Sequence, residues 1–351
     1  MRDLAKIATI QKIESIPNYD RVELATVENY PVIVQKGQFA VGDLCVYVFY
    51  DTLLPIKPEF EFLRKNSYSK LYNMFRIRNM KMCGVYSSGL VLPLSVLPKA
   101  LYQMDDDVTD ILGVKKYDPE ALVEATQRKK HSRLWYWIMK LFKRKKAEYP
   151  VAKSDEINVE KIFGYLFGKH PCTPFYVTEK MEGQSGTWLL NKKKYRVYSH
   201  NAERSTKDNN TWAMVGKMYD IENILRSEKT EYAIQGEICG GSIQKNIYRF
   251  SQYRLFVFKV TEVKTGKALQ FKELVEFCKK HNLEMVPVLY TSKQLYPTVD
   301  EMLADCEGVS VYGDNVPREG LVWRSMTDQN IGCKCKSRKY QMWFSGNKET
   351  E

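Results

Sequence analysis

The residues of this chain best suited to covalent chemistry stand in the stretch Thr178-Glu179-Lys180-Met181-Glu182-Gly183-Gln184-Ser185-Gly186. One lysine lies between two acids, two glycines follow it, and the β-prone run Phe175-Tyr176-Val177 precedes it. A lysine amine becomes a nucleophile when burial or a nearby cation disfavours its ammonium form. A Lys-x-x-Gly string alone arises by chance in most chains of this size, so the reading depends on what the remaining sequence supplies. Downstream, Glu237, Phe258, Glu319, Lys334 and Lys336 follow in order, each beside a glycine or in a β-prone run. Singly, each has an ordinary explanation: Glu182 and Glu319 as surface acids beside turn glycines, Phe258 as a strand's core residue, Lys334 and Lys336 as a solvated face. Together they are a nucleophile, three carboxylates, an aromatic ring and a pair of ammonium groups.

These residues must be positioned by the elements around them. From about 150 to 351 the pattern alternates β runs with helices: 232–238, 254–260, 320–324 and 331–336 read as strands, and 212–226 and 271–281 as helices. Cys333-Lys334-Cys335-Lys336 has the strand period, with thiols on one face and ammonium groups on the other. The eight cysteines include no Cys-x-x-Cys pair and only four histidines accompany them, so free thiols are expected and a zinc set is not.

The first hundred residues read differently. Short β segments at 5–10, 21–27, 31–35 and 44–50, with turns at Asn18-Tyr19-Asp20 and Gly42-Asp43, suggest a small closed barrel, for which the OB-fold is the commonest nucleic-acid-binding version. The run 72–82 mixes basic and apolar positions with two aromatics, which suits a phosphate-tracking groove or a strand with a solvated basic face. Residues 103–130 are polar and uneven, a connector. It ends in 133–146, aromatic first and basic second, whose readings are a membrane-surface helix, an RNA-contacting helix or a helix packed on the body. Lys143 to Lys146 also fits a nuclear address.

A chain of 351 residues, 44% hydrophobic, can build two cores. Lys and Arg outnumber Asp and Glu by 54 to 42, giving +12, which favours polyanionic partners such as nucleic acid. No apolar run reaches about eighteen residues, and Met1 to Lys6 lacks a signal-peptide core. An intracellular protein, cytoplasmic or nuclear and not secreted, is expected.

Read in order, six short motifs resemble those of the covalent nucleotidyltransferases, which comprise ATP-dependent RNA ligases, DNA ligases and mRNA capping enzymes. They are Lys180-Met181-Glu182-Gly183, Ser199-His200-Asn201, Gln235-Gly236-Glu237-Ile238, Phe256-Val257-Phe258, Glu319-Gly320-Leu321-Val322 and Lys334-Cys335-Lys336. The run 236–245 is similar to the nick-sealing RNA ligases in particular. Asp20 to Val27, Phe75 to Lys81 and Ser88 to Pro93 resemble the branch that carries an OB domain ahead of the catalytic domain, the Deinococcus and Naegleria type.

The resemblance implies an α+β fold: an OB-fold β-barrel over 1–102, a connector with a basic aromatic helix over 103–149, and over 150–351 an ATP-grasp-like adenylyltransferase domain of antiparallel sheets with flanking helices. It implies that neutral Lys180 attacks the α-phosphorus of ATP, and that AMP passes to a 5′-phosphate before a 3′-hydroxyl seals the strand. Glu182, Glu237 and Glu319 would surround Mg²⁺ or Mn²⁺ through bound waters, with a ribose bond as the alternative for Glu237. Lys334 and Lys336 would bind the α-phosphate, Phe258 would stack on adenine, and Glu179 would accept from the adenine amino group. Gly183 and Asn201 complete the expected nucleotide-binding set. The implied partners are RNA ends or a nicked duplex with RNA on the 3′-hydroxyl side, acted on by a monomer. Membrane contact is open only through 133–146. The alternatives are a ligase of DNA nicks and a non-catalytic protein that holds nucleic-acid ends. Two positions depart from the family pattern: Asn158 stands where Lys-Thr-Asp-Glu-x-Arg has arginine, and Glu182 stands where aspartate is usual.

Overall fold

In the computed structural model the described residues are 4–117, 150–152, 156–200, 202–207 and 209–346, with residues 345 and 346 described by their backbone alone. They fall into two compact units, one built on 4–117 and one on 150–344.

Alternating apolar residues make Ala5–Ile16 the long central strand of the first unit. It sits in a five-stranded antiparallel sheet ordered Leu90–Leu92, Leu44–Val48, Ala5–Ile16, Tyr19–Val27, Tyr30–Gln35. Glu28 and Asn29, at φ 54° and 62°, make the tight left-handed turn that joins the last two strands. A second antiparallel sheet is ordered Lys115–Lys116, Thr52–Leu54, Met74–Ile77, Tyr68–Ser69. Ile7, Val46, Leu54, Phe75 and Leu92 fill one core and Ile10, Val32 and Tyr47 another. All four strands expected before residue 50 are present; the fourth ends at Val48.

The connector expected from residue 103 begins later. Val108 and Leu112 are each 1% exposed in the first unit's core. Ile7 N–H donates to the Asp106 carbonyl and Asp105 N–H to the Ile7 carbonyl, both at 2.9 Å. Lys115 and Lys116 then pair with Leu53 and Thr52. The acidic run Asp105 to Asp107 disguises this segment as a linker, but three apolar side chains, at 108, 112 and 114, anchor it. The segment 133–146, with its Lys143 to Lys146 run, lies outside the described residues.

The second unit pairs two antiparallel sheets. One is ordered Glu203–Arg204, Lys194–Ser199, Gln184–Asn191, Tyr232–Cys239, Arg254–Glu262. The other is ordered Val288–Lys293, Phe175–Glu179, Gly320–Ser325, Gly332–Lys336. Helices flank them. Phe271–Lys280 starts from a capping box of Gln270 and Glu273 and ends on Lys279 and Lys280, where cations suit the helix dipole. The single helix expected over 212–226 is two, Thr211–Met218 and Ile221–Ser227. Asp220 separates them at φ 50°, a conformation that a helix cannot continue through and that aspartate tolerates better than most residues. The architecture is the expected α+β class. Cys333 and Cys335 are fully buried on one face of their strand, and all eight cysteines are free thiols. Among the described residues no helix is long and apolar enough to cross a membrane.

Candidate active site

The wholly buried strand Phe175–Glu179 lies inside the four-stranded sheet, while Gln184–Asn191 belongs to the five-stranded one. Residues 180–183 are therefore the crossing between sheets, and this puts Lys180 at their seam. Its backbone N–H donates to the Gly320 carbonyl at 2.9 Å. Gly183 is required by close approach: a Cβ there would lie 2.4 Å from the Ile238 carbonyl oxygen and 2.9 Å from Glu237 Cγ. The absence of a side chain lets the Glu237 stem pack against the crossing.

Three carboxylates surround the Lys180 ammonium. Its Nζ donates to Glu319 Oε1 at 2.5 Å, with the two side chains 25% and 11% exposed. Burial alone would lower the lysine's proton affinity, but the charges of Glu319, Glu182 and Glu237 overcome it and the net shift is upward. The expectation of a lowered pKa is therefore not met by the protein's own groups. Glu182 shifts the other way from an ordinary surface acid: burial and neighbouring Glu319 push it up to about 7, against the pull of Lys180 and a bond from Tyr340. Tyr340 Oη donates to Glu182 Oε2 at 2.8 Å, and the Glu182 backbone N–H donates to Tyr248 Oη at 2.8 Å.

The second oxygen of Glu319, Oε2, is buried with no hydrogen-bond partner. Among the described residues, however, no three His, Cys, Asp or Glu side chains converge closely enough to ligate a metal directly. Carboxylates gathered around one point, one with an unspent oxygen, fit a hydrated hard cation reached through water better than a bare one.

The remaining expected residues fall as follows. Phe258, 9% exposed, shares an apolar cluster with Met181, Cys239 and Tyr248, directly behind the crossing. Lys334 and Lys336 occupy the half-exposed face of their strand, opposite Val322 and Gly320, so Lys336 is in register with the glycine that holds Lys180. Glu179 is 1% exposed and both its oxygens are engaged, one by the Ser310 hydroxyl and the other by Val311 N–H at 2.8 Å. In this conformation it fastens the 310–311 loop and does not face open space. Asn158 is buried and forms a parallel bridge with Lys334, whose N–H donates to the Ile157 carbonyl at 2.9 Å. Asn201 lies outside the described residues.

Comparison with known proteins bears on this arrangement. A family model described as RNA ligase matches residues 173–340, and an OB-fold domain model matches residues 4–94. A variant of Naegleria gruberi RNA ligase with AMP and Mn superposes with a TM-score of 0.82 at 25% identity, covering 97% of this chain and 98% of that one. The same organism's ligase with PPi gives 0.83 at 25% identity, over 99% and 100%. Residues 173–340 belong to the RNA ligase family. An apo variant of the Naegleria enzyme is similar to this chain to the same degree, with a TM-score of 0.82 over 99% of both chains. None of the curated proteins matches the sequence.

Three features of this RNA ligase's site are absent from the sequence reading. Tyr248 and Tyr340 clamp Glu182 from 66 and 158 residues away. Arg324, 3% exposed, donates from Nε and Nη2 to Glu156 Oε1 at 2.8 and 2.6 Å and lies 5.5 Å from the centre of the Phe258 ring. A tyrosine in a turn, as Tyr248, or in a helix, as Tyr340, carries no local signal of such partners, whereas Arg324, a charge inside an otherwise apolar strand, does carry one.

Proposed function

We propose that this RNA ligase is ATP-dependent and seals 3′-hydroxyl and 5′-phosphate RNA ends, or nicks with RNA on the 3′-hydroxyl side, through a covalent AMP on Lys180. The observation that carries the reading is the convergence of one ammonium and three carboxylates at the seam between the sheets. The Naegleria ligase of the same fold, solved with AMP and Mn, supports the choice of nucleotide.

Glu319 accepts a hydrogen bond from Lys180 Nζ and is the group placed to receive its proton. The freed lone pair attacks the α-phosphorus, the bond from that phosphorus to the β-phosphate oxygen breaks, and pyrophosphate leaves. A hydrated Mg²⁺ or Mn²⁺ held by Glu182, Glu237 and Glu319 would supply the positive charge that offsets these carboxylates and the phosphates. Lys334 and Lys336 stabilise negative charge gathering on the α-phosphate, and Phe258 presents an aromatic face to adenine. Glu237 has the ribose hydroxyls as a second use. The RNA 5′-phosphate then attacks the lysyl phosphoramidate and takes AMP, and the 3′-hydroxyl displaces AMP to form the phosphodiester. The chain acts as a monomer. Asn158, a neutral side chain, leaves the outer phosphates without the arginine contact usual in the family.

Incubation with α-labelled ATP and Mg²⁺ or Mn²⁺ tests the reading. Label appears on the parent protein and is absent from Lys180→Ala; equal label on both refutes it. Faster sealing of nicks with RNA than with DNA on the 3′-hydroxyl side is expected, and equal sealing refutes the substrate assignment.

A further inference from the structure

Residues 62 to 104 hold seven Lys and Arg and no Asp or Glu. They feed the four-stranded sheet of the first unit. One face of that sheet is core: Leu54 and Phe75 are fully buried and Ile77 is 4% exposed. Register places Lys115 opposite Leu53 and Leu53 opposite Arg76, so these side chains leave from the other face, where Leu53, 3% exposed, is covered by its neighbours. Tyr117, two residues beyond Lys115, continues in the same direction, and its N–H donates to the Asp51 carbonyl at 3.0 Å.

On this outer face the Arg76 guanidinium lies 3.7 Å from the centre of the Tyr117 ring, and the Tyr72 ring lies 5.3 Å from that of Tyr117. The carboxylate nearest to Arg76 is weakly placed: Asp51 Oδ1 stands 3.9 Å from Nη2 and its own side chain is 53% exposed. Arg76 Nε is shielded from solvent with no acceptor. A structural arginine normally spends its donors on a carboxylate or on carbonyls. Here the guanidinium stands over a ring with its Nε unsatisfied, and Lys115 on the same face is exposed.

We propose that this face binds single-stranded RNA, one base stacking on the Arg76 and Tyr117 pair with the tilted Tyr72 ring at its edge, and the flanking phosphates meeting Arg76 and Lys115. A guanidinium plane backed by aromatic rings is complementary to an unstacked base, whereas a lipid headgroup offers no such plane. The inference takes RNA as substrate from the reading above and is independent of the chemistry at Lys180.

Fluorescence anisotropy of a labelled oligouridylate with the full-length protein tests it. Tyr117→Leu weakens binding about tenfold, and Tyr117→Trp, which keeps an aromatic plane, retains the parental affinity. Lys115→Ala weakens binding and lowers the log-affinity against log-salt slope by about 0.7. Unchanged affinity in Tyr117→Leu, or equal loss in Tyr117→Leu and Tyr117→Trp, overturns the stacking platform. So does weakened binding to phosphatidylserine vesicles without any loss toward RNA. Labelling of Lys180 by ATP, followed in parallel, reports the state of the catalytic unit. Its failure in the parent protein refutes the proposed ligation chemistry and leaves the RNA-binding measurement readable.

Discussion

Replacing Tyr340 by phenylalanine removes one oxygen from the site and little else, because the ring is 3% exposed and keeps its volume. The lost bond is the 2.8 Å donation to Glu182 Oε2. A hydrogen bond to a charged acceptor contributes about 1.5 kcal/mol or more, and 1.36 kcal/mol corresponds to about one pKa unit. The hydroxyl favours ionised Glu182. Its removal therefore raises the carboxyl's proton affinity by about one unit, from a value that burial and Glu319 have already pushed up to about 7. Because that folded value exceeds the ordinary carboxylate value of 4.5, ionising Glu182 costs stability as pH rises through the interval between them. Tyr340→Phe deepens this cost on the alkaline side and leaves acid stability unchanged. The assay is the single-turnover rate of Lys180 labelling by ATP across pH, beside thermal melts at the same pH values. The acid limb of the rate profile moves up by about one pH unit, and the variant's melting point falls below the parent's only toward alkaline pH. An unmoved acid limb, or a uniform loss at every pH, refutes the reasoning.

Gly183→Ala forces a Cβ to within 2.4 Å of the Ile238 carbonyl oxygen; this overpacking costs about 1–3 kcal/mol, read as a lower melting temperature and slower Lys180 labelling. Arg324→Met leaves Glu156, 16% exposed, without its partner, a loss of about 3 kcal/mol. Denaturant unfolding measures it, and adding Glu156→Leu to the same variant recovers part of the loss.

Legibility divided along physical lines. Local periodicity is written into consecutive residues, so the Cys333 to Lys336 alternation announced a strand with a thiol face and an ammonium face, and the structure has that strand. The order of motifs likewise revealed the family, because each functional group sits next to the glycine or β run that positions it. Where the backbone leaves its regular path, consecutive residues carry less warning. The break at Asp220 depends on one left-handed residue inside a pattern that reads as continuous helix, and the first unit's extension to Tyr117 depends on pairing with Thr52 and Leu53.

The sequence by itself determined that Lys180 and Glu182 share one short crossing, that glycine follows them, and that two ammonium groups project from one strand face. Only the tertiary structure decided what surrounds the nucleophile. Glu319 comes from 139 residues away to bond Lys180, Tyr248 and Tyr340 fix Glu182, and Ser310 and Val311 occupy Glu179. The physical reason is that proton affinity depends on charges and burial summed over space. A lysine that looks poised for attack along the chain is, in the fold, an ammonium held by three carboxylates.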